Sequence, residues 1–199
     1  MDIFILNCKD YKSRDLSYEF LLFVLQKKYP TISPNILKSP FGKPLVTNIP
    51  NCFFSISHSG KFLVVAIHSK QIGVDIQKIK PVNFNVVNRF FSQEEIYNFS
   101  LVPNNEKTSH FFYLWTLKES FVKCCGLGFS NMTFNKFSIL FDDTIKLRMD
   151  NRIHESYNFD TFDNIQNDYK LAICYEGNSV TPNFITIDLD EFFTHKKQE

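Results

Sequence analysis

Two separate segments of the sequence place charged residues among apolar ones. In Ile72-Gly73-Val74-Asp75-Ile76-Gln77, Asp75 interrupts a pattern typical of a strand. The run from His110 to Cys125 is mostly apolar but contains Glu119 and Lys123. Buried charges are costly unless they are paired or bound to an ion. Mg²⁺ sites use one or two carboxylates together with substrate phosphates, so the two carboxylates and the lysine could hold a Mg²⁺ ion and a phosphate.

Each segment also has an ordinary structural interpretation. Aspartate is disfavoured in strands, but an edge strand whose polar face meets water would accept Asp75, and for this segment alone that is the better interpretation. Glu119 and Lys123 lie four residues apart, on one helix face. They could form a surface pair worth roughly 0.2–0.5 kcal/mol. The two segments taken together favour a charged pocket.

The elements that must position these residues follow from hydrophobic periodicity and turn signals. A helix is predicted at Asp15–Tyr29, and a long, largely buried helix from about Thr108 to Cys125, capped by Gly126. Ser92-Gln93-Glu94-Glu95 has the pattern of a capping box. The remaining predictions are turns from Ser33 to Pro44, strands at Ile3–Leu6, Phe53–Ser57, Phe62–His68, Ile72–Ile79, Phe137–Phe141, Ile145–Arg148, Leu171–Cys174 and Phe184–Ile187, a tight turn at His58-Ser59-Gly60, and a helical turn at Asp190–His195.

This order of elements indicates an α+β fold. The chain lacks the glycine fingerprint of a dinucleotide-binding βαβ unit. Two α+β halves are expected to meet near residue 70. They would form an N-terminal lobe at residues 1–70 and a C-terminal lobe at residues 71–199 that carries the metal site.

Composition excludes several classes of function. The chain has 199 residues, 44% of them hydrophobic, and a formal charge of +1, so it lacks the concentrated basic field of a nucleic-acid binder. Five cysteines without C-x-x-C spacing fit reduced thiols better than a zinc site or disulfide framework. No run approaches the about 18 apolar residues of a membrane span. We therefore expect a cytoplasmic protein that binds neither nucleic acid nor membrane.

Five short motifs, in order, resemble those of the surfactin-synthetase-type 4'-phosphopantetheinyl transferases. The match extends from about Phe41 to Phe129, with weaker similarity around Tyr169 to Cys174. Any single motif is weak, but five in order with plausible spacing are specific. They are Gly42-Lys43-Pro44, Phe54-Ser55-Ile56-Ser57-His58-Ser59-Gly60, Gly73-Val74-Asp75, Arg89-Phe90-Phe91-Ser92-x-x-Glu95 and Trp115-x-x-Lys118-Glu119-Ser120-x-x-Lys123.

The resemblance implies two similar α+β lobes in a pseudo-twofold arrangement, with coenzyme A bound in the cleft between them. It implies a Mg²⁺-dependent transfer of the phosphopantetheine arm of coenzyme A, the co-substrate, to a serine of an apo acyl or peptidyl carrier protein. Adenosine 3',5'-bisphosphate would be released. We expect a monomer, because one chain with both lobes can form the cleft. Phe84, Val86 and Phe90 are predicted to face the carrier, unless they belong to the core.

The resemblance also implies the ligands of the metal. Asp75 and Glu119 are expected to bind Mg²⁺. Gln77 stands where the family commonly has an acid that serves as a third ligand. Its amide oxygen can coordinate the ion or orient a bound water, but one negative charge is missing. The site is therefore expected to need more Mg²⁺ than a relative with three carboxylates.

The expected coenzyme A site consists of Lys43, Pro44, Ser57, His58 and Lys123. The resemblance implies that Lys123 contacts the pyrophosphate and that Lys43, Ser57 and His58 contact phosphates. Two of these have simpler interpretations, because Lys43 could be a loop lysine and His58 a capping or exposed histidine.

The expected catalytic residues are Glu119, Lys123 and Glu95. Glu119 is the nearest candidate base for the carrier serine, directly or through water. A glutamate bound to Mg²⁺ is a weaker base, so a relay through water or Glu95 is an alternative. Glu95 is also the third residue of the capping-box helix, which explains it without catalysis.

The sequence departs from the family at the N-terminus, where relatives carry basic residues that help to hold the 3'-phosphate and adenine of coenzyme A. Lys9, Lys12 and Arg14 are candidates to replace them. Two other functions compete with transfer. One is binding of coenzyme A or a carrier without chemistry. The other is Mg²⁺-dependent hydrolysis of a phosphate ester, which would need a richer cluster of carboxylates or histidines.

Overall fold

The computed structural model describes residues 1–126, 133–163 and 165–196. Residues 127–129, which end the stretch resembling the transferases, and residues 197–199, which end the predicted C-terminal lobe, lie outside the described residues. The helices are α1 (Ser17–Lys28), α2 (Asn85–Phe90), α3 (Gln93–Ser100), α4 (Lys107–Cys125) and α5 (Leu189–Lys196), with a 3₁₀ turn at Phe134–Lys136. The strands are β1 (Asp2–Asn7), β2 (Ile36–Lys38), β3 (Pro44–Val46), β4 (Phe53–Ser59), β5 (Phe62–His68), β6 (Ile72–Lys78), β7 (Phe137–Phe141), β8 (Ile145–Met149), β9 (Arg152–Ile153), β10 (Tyr157–Phe162), β11 (Tyr169–Glu176) and β12 (Asn183–Ile187).

One topology occurs twice along the chain. In the first half, β1 is followed by α1 and pairs antiparallel with β5, which pairs antiparallel with β4. In the second half, β6 is followed by helices that end with α4, and it pairs antiparallel with β11, which pairs antiparallel with β10. The sheet orders β1-β5-β4 and β6-β11-β10 therefore correspond strand for strand. The predicted α+β fold of two similar lobes is confirmed.

The two halves stack in four layers, because side chains alternate between the faces of a strand. The outer face of the first sheet packs against α1, where Phe20 and Val24 are fully buried. Its inner face meets the second sheet, and Ile3 and Val64 lie there with Val74. The other face of the second sheet is covered by α4.

The last strand and helix return to the first sheet. β12 pairs parallel with β1, and Phe192 of α5 packs edge-on against Phe20 and Phe23 of α1. These elements belong to the C-terminal lobe in the predicted division at residue 70, which stays a prediction, yet they complete the first sheet. β1 consequently has a strand on both sides. Its counterpart β6 has a strand partner only on the β11 side within the described part of the chain.

The helix α4 is 19 residues long and is buried for most of its length, as predicted. It ends where Gly126 adopts a left-handed conformation with φ 70° and donates its backbone N–H to the Val122 carbonyl. Left-handed backbone at this position favours glycine. Across the described ranges, no helix combines the length and the apolar character needed to cross a bilayer.

The predicted turn at His58-Ser59-Gly60 is wrong in its position. Strand β4 continues through Ser59, which pairs with Phe62, and the chain reverses at Gly60 with φ 55°. The polarity of the sequence suggests a turn, but these polar residues remain in the strand because the Ser59 hydroxyl accepts a hydrogen bond from the backbone of β6.

Gly73 lets β6 approach α4 closely. A Cβ at this position would stand far inside van der Waals contact with the Ser120 carbonyl oxygen and the Cys124 amide nitrogen, both of them backbone atoms. We expect Gly73→Ala to separate β6 from α4 and to lower the free energy of unfolding by about 3 kcal/mol. Urea denaturation measures this loss. Gly42→Ala is the control, because a Cβ there meets no heavy atom within 4 Å and costs only about 1–2 kcal/mol of backbone strain. Equal losses in the two variants would contradict the steric explanation.

Candidate active site

Asp75 and Lys123 meet where β6 crosses α4. Asp75 lies on the face of β6 that is turned to α4 and is only 1% exposed. The Lys123 ammonium is 2.6 Å from Asp75 Oδ1 and 3.1 Å from the Val74 carbonyl oxygen. The interpretation of Asp75 as a strand residue that meets water is therefore wrong. The structure pairs two of the residues that the sequence singled out from separate segments.

Ser57 connects this ion pair to the first sheet. Its hydroxyl donates to Asp75 Oδ1 at 2.8 Å and accepts from the Ile76 backbone N–H at 3.1 Å and from Lys123 Nζ at 2.9 Å. A serine hydroxyl has one hydrogen to donate and two acceptor positions, so its hydrogen-bonding capacity is used. The predicted contact of Ser57 with a coenzyme A phosphate stays a prediction, and such a contact would have to replace one of these bonds.

Glu119 is the second buried carboxyl group of the site and is 8% exposed. Burial and the neighbouring Asp75 charge raise the pKa of Glu119 to about 8, against the opposing effects of Lys123 and of a hydrogen bond with Trp115. A surface pair of Glu119 with Lys123 is excluded, because Glu119 is buried and the Lys123 ammonium binds Asp75. A pKa raised by burial and by a neighbouring carboxylate means that the negative charge of Glu119 is unfavourable here without a further cation.

Asp75 and Glu119 are the two carboxyl groups of the site that could hold a hard divalent cation. Gln77 donates its side-chain N–H to Asp75 Oδ2 at 3.1 Å, so its amide lies next to the carboxylate. Among the described residues, no group of three His, Cys, Asp or Glu side chains is arranged to hold a metal. An ion here would depend on Asp75 and Glu119 together with neutral oxygens from Gln77, water or a ligand, which is a donor set that suits Mg²⁺.

A cleft of about 420 Å³ opens beside Lys123. Lys43, Pro44, His58 and Lys123, which were predicted to bind coenzyme A, line it, and so does Arg14. Burial lowers the pKa of His58, and the charges of Lys123 and Arg14 add to this effect. The cationic lining suits an anionic ligand. Arg14 is the N-terminal candidate that the structure brings to this cleft.

Lys43 attaches the β2–β3 hairpin to the end of α4. Its ammonium is 2.7 Å from the Lys123 carbonyl oxygen and 3.3 Å from that of Ile72, and burial lowers the pKa of Lys43. A cation at these carbonyls complements the negative end of the helix dipole. Lys43 is therefore not an unattached loop lysine. Its contact with a phosphate stays a prediction.

Glu95 is enclosed and fully bonded. Its carboxylate accepts from the Ser92 backbone N–H, from the Ile139 backbone N–H and, through both oxygens, from Lys118 Nζ at 2.8 and 2.7 Å. The capping box with Ser92 is confirmed. Lys118 is fully buried, and burial lowers its pKa to about 8 even though Glu95 opposes the shift. Catalysis by Glu95 stays a prediction, and it would require the carboxylate to leave these donors.

The residues expected to face a carrier are partly buried members of the core. The ring centroids of Phe84 and Phe99 are 5.3 Å apart, and so are those of Phe90 and Trp115. Val86 packs against the same hydrophobic cluster around α4. The core interpretation is correct for these side chains. Their contact with a carrier protein stays a prediction.

The fold and the site together define an α+β protein of two similar lobes with a carboxylate–lysine cluster beside a cationic cleft. The family model described as ACPS, the 4'-phosphopantetheinyl transferase superfamily, matches residues 71–174. This chain belongs to the 4'-phosphopantetheinyl transferase superfamily.

Individual relatives agree with this family. The chain is 37% identical over 136 residues to a 4'-phosphopantetheinyl transferase of Bacillus subtilis, and 34% identical over 136 residues to 4'-phosphopantetheinyl transferase Sfp of Bacillus subtilis strain 168. Each match covers 67% of this chain but 59% of the relative. A holo-[acyl-carrier-protein] synthase from Thermotoga maritima is similar in structure, with a TM-score of 0.44 and 16% identity over 55% of this chain and 64% of the synthase.

Proposed function

We propose that this protein transfers the 4'-phosphopantetheine arm of coenzyme A to a serine of an apo acyl or peptidyl carrier protein and releases adenosine 3',5'-bisphosphate. The observation that carries the proposal is the ion pair between buried Asp75 and partly exposed Lys123, beside a cleft lined by Arg14, Lys43 and His58. Coenzyme A is an elongated polyanion, and a cationic cleft that ends at a lysine and two carboxyl groups matches its charge distribution.

Lys123 is proposed to bind the pyrophosphate next to the bond that breaks. Negative charge develops on the leaving phosphate oxygen, and a fixed ammonium stabilises it. When bound, Mg²⁺ held by Asp75, Glu119 and Gln77 would neutralise further charge on the phosphates. Binding of the pyrophosphate by Lys123 requires its ammonium to exchange at least part of its bonding with Asp75 and Ser57. The lysine side chain is 24% exposed, so it can reach the cleft.

Glu119 is proposed to accept the proton of the attacking serine, directly or through a water. Without metal, burial and Asp75 raise the pKa of Glu119 to about 8, so the carboxylate is a stronger base than an exposed glutamate as long as it does not itself bind Mg²⁺. Trp115 lies one helical turn before Glu119 on α4, and its indole N–H opposes the rise in the pKa of Glu119.

We also propose that the protein acts as a monomer in the cytoplasm. The cleft is lined by residues from both halves of one chain, such as His58 from the first and Lys123 from the second. All five cysteines are unpaired thiols, which suits a reducing compartment.

A mass measurement tests the proposed reaction. The protein is incubated with coenzyme A, Mg²⁺ and apo carrier proteins from fatty-acid and peptide synthesis, and each carrier is weighed. We expect the mass of one phosphopantetheine arm to be added to a carrier. Binding of coenzyme A without any gain in carrier mass would show a binding protein instead, and release of phosphate without transfer would show a hydrolase.

Gln77→Glu is expected to lower the Mg²⁺ concentration for half-maximal transfer about tenfold, because a third carboxylate strengthens the attraction for a divalent cation. The titration is carried out by following carrier modification at increasing Mg²⁺. Gln93→Glu adds the same charge at an exposed site on α3 and is expected to change nothing. An unaltered Mg²⁺ dependence in Gln77→Glu would remove Gln77 from the metal site.

A further inference from the structure

Equivalent strand edges in the two halves of the fold have different hydrogen-bond partners. The outer edge of β1 is covered by β12, which pairs with it along five residues from Asp2 to Leu6. The equivalent edge of β6 has no strand partner among the described residues. Unpaired backbone groups in a protein interior are costly. The structure therefore has to satisfy the edge of β6 by other means.

Three serines of β4 bond the N–H groups of this edge. Ser55 Oγ accepts from the Val74 N–H at 3.0 Å, Ser57 Oγ from the Ile76 N–H at 3.1 Å, and Ser59 Oγ from the Lys78 N–H at 2.9 Å. The three serines alternate along β4 and share one of its faces. We call Ser55, Ser57 and Ser59 the serine ladder.

Two lysines bond carbonyl oxygens of the same edge. The Lys43 ammonium is 3.3 Å from the Ile72 carbonyl oxygen, and the Lys123 ammonium is 3.1 Å from the Val74 carbonyl oxygen. Side chains thus bond the free backbone groups of β6, whereas strand β12 bonds those of β1. Lys123, one of the proposed catalytic residues, thus bonds the edge that stays without a strand partner among the described residues.

We propose that the serine ladder sets the register of β6 against β4 and that Ser55 and Ser59 are positioning residues for Asp75. A step of one residue would turn Asp75 to the other face of the sheet, away from Lys123. Ser57 contacts Asp75 and Lys123 directly, whereas Ser55 and Ser59 bond the backbone one residue before Asp75 and three residues after it. They act on Asp75 through the strand. The consequence for transfer rests on the proposed function, but the register itself does not.

Amide hydrogen exchange tests the ladder without any enzyme assay. In Ser55→Ala we expect exchange of both the Val74 and Ile76 amides to speed up about tenfold, because the loss of one bond loosens the next. Faster exchange at Val74 alone would show that the hydrogen bond from Ser55 acts only locally. Unchanged exchange at both amides would contradict the role of the serine ladder. Ser138→Ala is the matched control. Ser138 is also a buried serine with one side-chain hydrogen bond, to Ser92, and its loss should leave the amides of β6 unchanged.

Two further variants keep the test decisive. Ser59→Ala removes the acceptor of the Lys78 N–H. Because Ser59 is partly exposed, this variant should stay folded even if Ser55→Ala does not, and it should speed amide exchange at Lys78 and Ile76. Ser55→Thr retains a hydroxyl and should restore protection of Val74.

Transfer kinetics then test the positioning role. Ser59→Ala, which lies outside the lining of the proposed coenzyme A cleft, should raise the Mg²⁺ requirement several-fold and lower kcat, with the KM for the apo carrier unchanged, since it displaces Asp75 only through β6. Faster exchange in β6 without any change in Mg²⁺ requirement or kcat would overturn the role in positioning Asp75. Absence of transfer in the wild type would contradict the proposed function, and the exchange measurements would still decide the ladder.

Discussion

Glu119→Gln is expected to lower the rate of transfer at least about a thousandfold while making the metal-free protein more resistant to heat at pH 8 and above. The variant keeps the size of the side chain and its place beside Asp75, but it removes a proposed base and one of two carboxylates available for Mg²⁺. The rate of transfer falls while resistance to heat rises because the negative charge of Glu119 assists the proposed reaction but is unfavourable in a buried position. Mass spectrometry of the carrier measures the first effect, and thermal unfolding without Mg²⁺ measures the second.

The pH dependence of the second effect follows from the pKa of Glu119, which is raised from an ordinary value of 4.5 to about 8 in the folded protein. The stability that Glu119 contributes is fully present below about pH 4.5 and is lost as pH rises through 8. Glutamine does not ionise, so its advantage grows over this window and is largest above pH 8. For a chain of this size, each 1 kcal/mol corresponds to about 2–4 °C in melting temperature.

Glu106→Gln is the control for Glu119→Gln. Glu106 is exposed and precedes the first turn of the same helix, so its loss should alter neither transfer nor the melting temperature above pH 8. Normal transfer in Glu119→Gln would remove Glu119 from the reaction. A lower melting temperature than wild type at pH 8 would contradict the electrostatic account of this corner.

The buried charged residues of the candidate site could be predicted from the sequence because they interrupt apolar runs. Asp75 in a strand and Glu119 in a buried helix each stand where a charge needs a partner. The long helix predicted from about Thr108 to Cys125 agrees to within one residue with α4 (Lys107–Cys125), because periodicity and Gly126 both mark its end. Short-range signals were sufficient for these features.

Features that depend on long-range contacts could not be predicted. The serines of β4 gave no signal of their role, because their partners in β6 lie 19 residues later in the chain. Lys118 interrupts the buried helix, yet nothing near it in sequence shows that its partner is Glu95, 23 residues earlier.

Short edge strands were also missed. β2 and β3 have three residues each and lie within a stretch dominated by proline and glycine turn signals. β10 buries only Phe159 and is held by its pairing with β11. Such strands are stabilised by their neighbours and not by their own hydrophobic pattern.

Breaking the buried Glu95–Lys118 pair should give the largest loss of stability, about 3–5 kcal/mol for Glu95→Ala. The substitution leaves the fully buried Lys118 ammonium without its carboxylate, and among the described residues its one remaining hydrogen-bond acceptor is the Phe137 carbonyl oxygen, at 2.8 Å. It also leaves the backbone N–H groups of Ser92 and Ile139 without their acceptor. Urea unfolding measures the loss. Glu191→Gln, which breaks an exposed pair with Lys27, should cost less than about 1 kcal/mol.

A double variant separates the structural role of Glu95 from a catalytic one. Glu95→Gln with Lys118→Met removes both charges, keeps an acceptor for the Ile139 amide, and fills the space of the lysine stem, so it should recover most of the stability lost in Glu95→Ala. If Glu95 only holds α3, α4 and β7 together, transfer recovers along with stability, because Glu119 and Lys123 regain their positions on α4. A stable double variant that transfers no phosphopantetheine would instead place the Glu95 carboxylate in the reaction, and would show that it leaves its three donors during turnover.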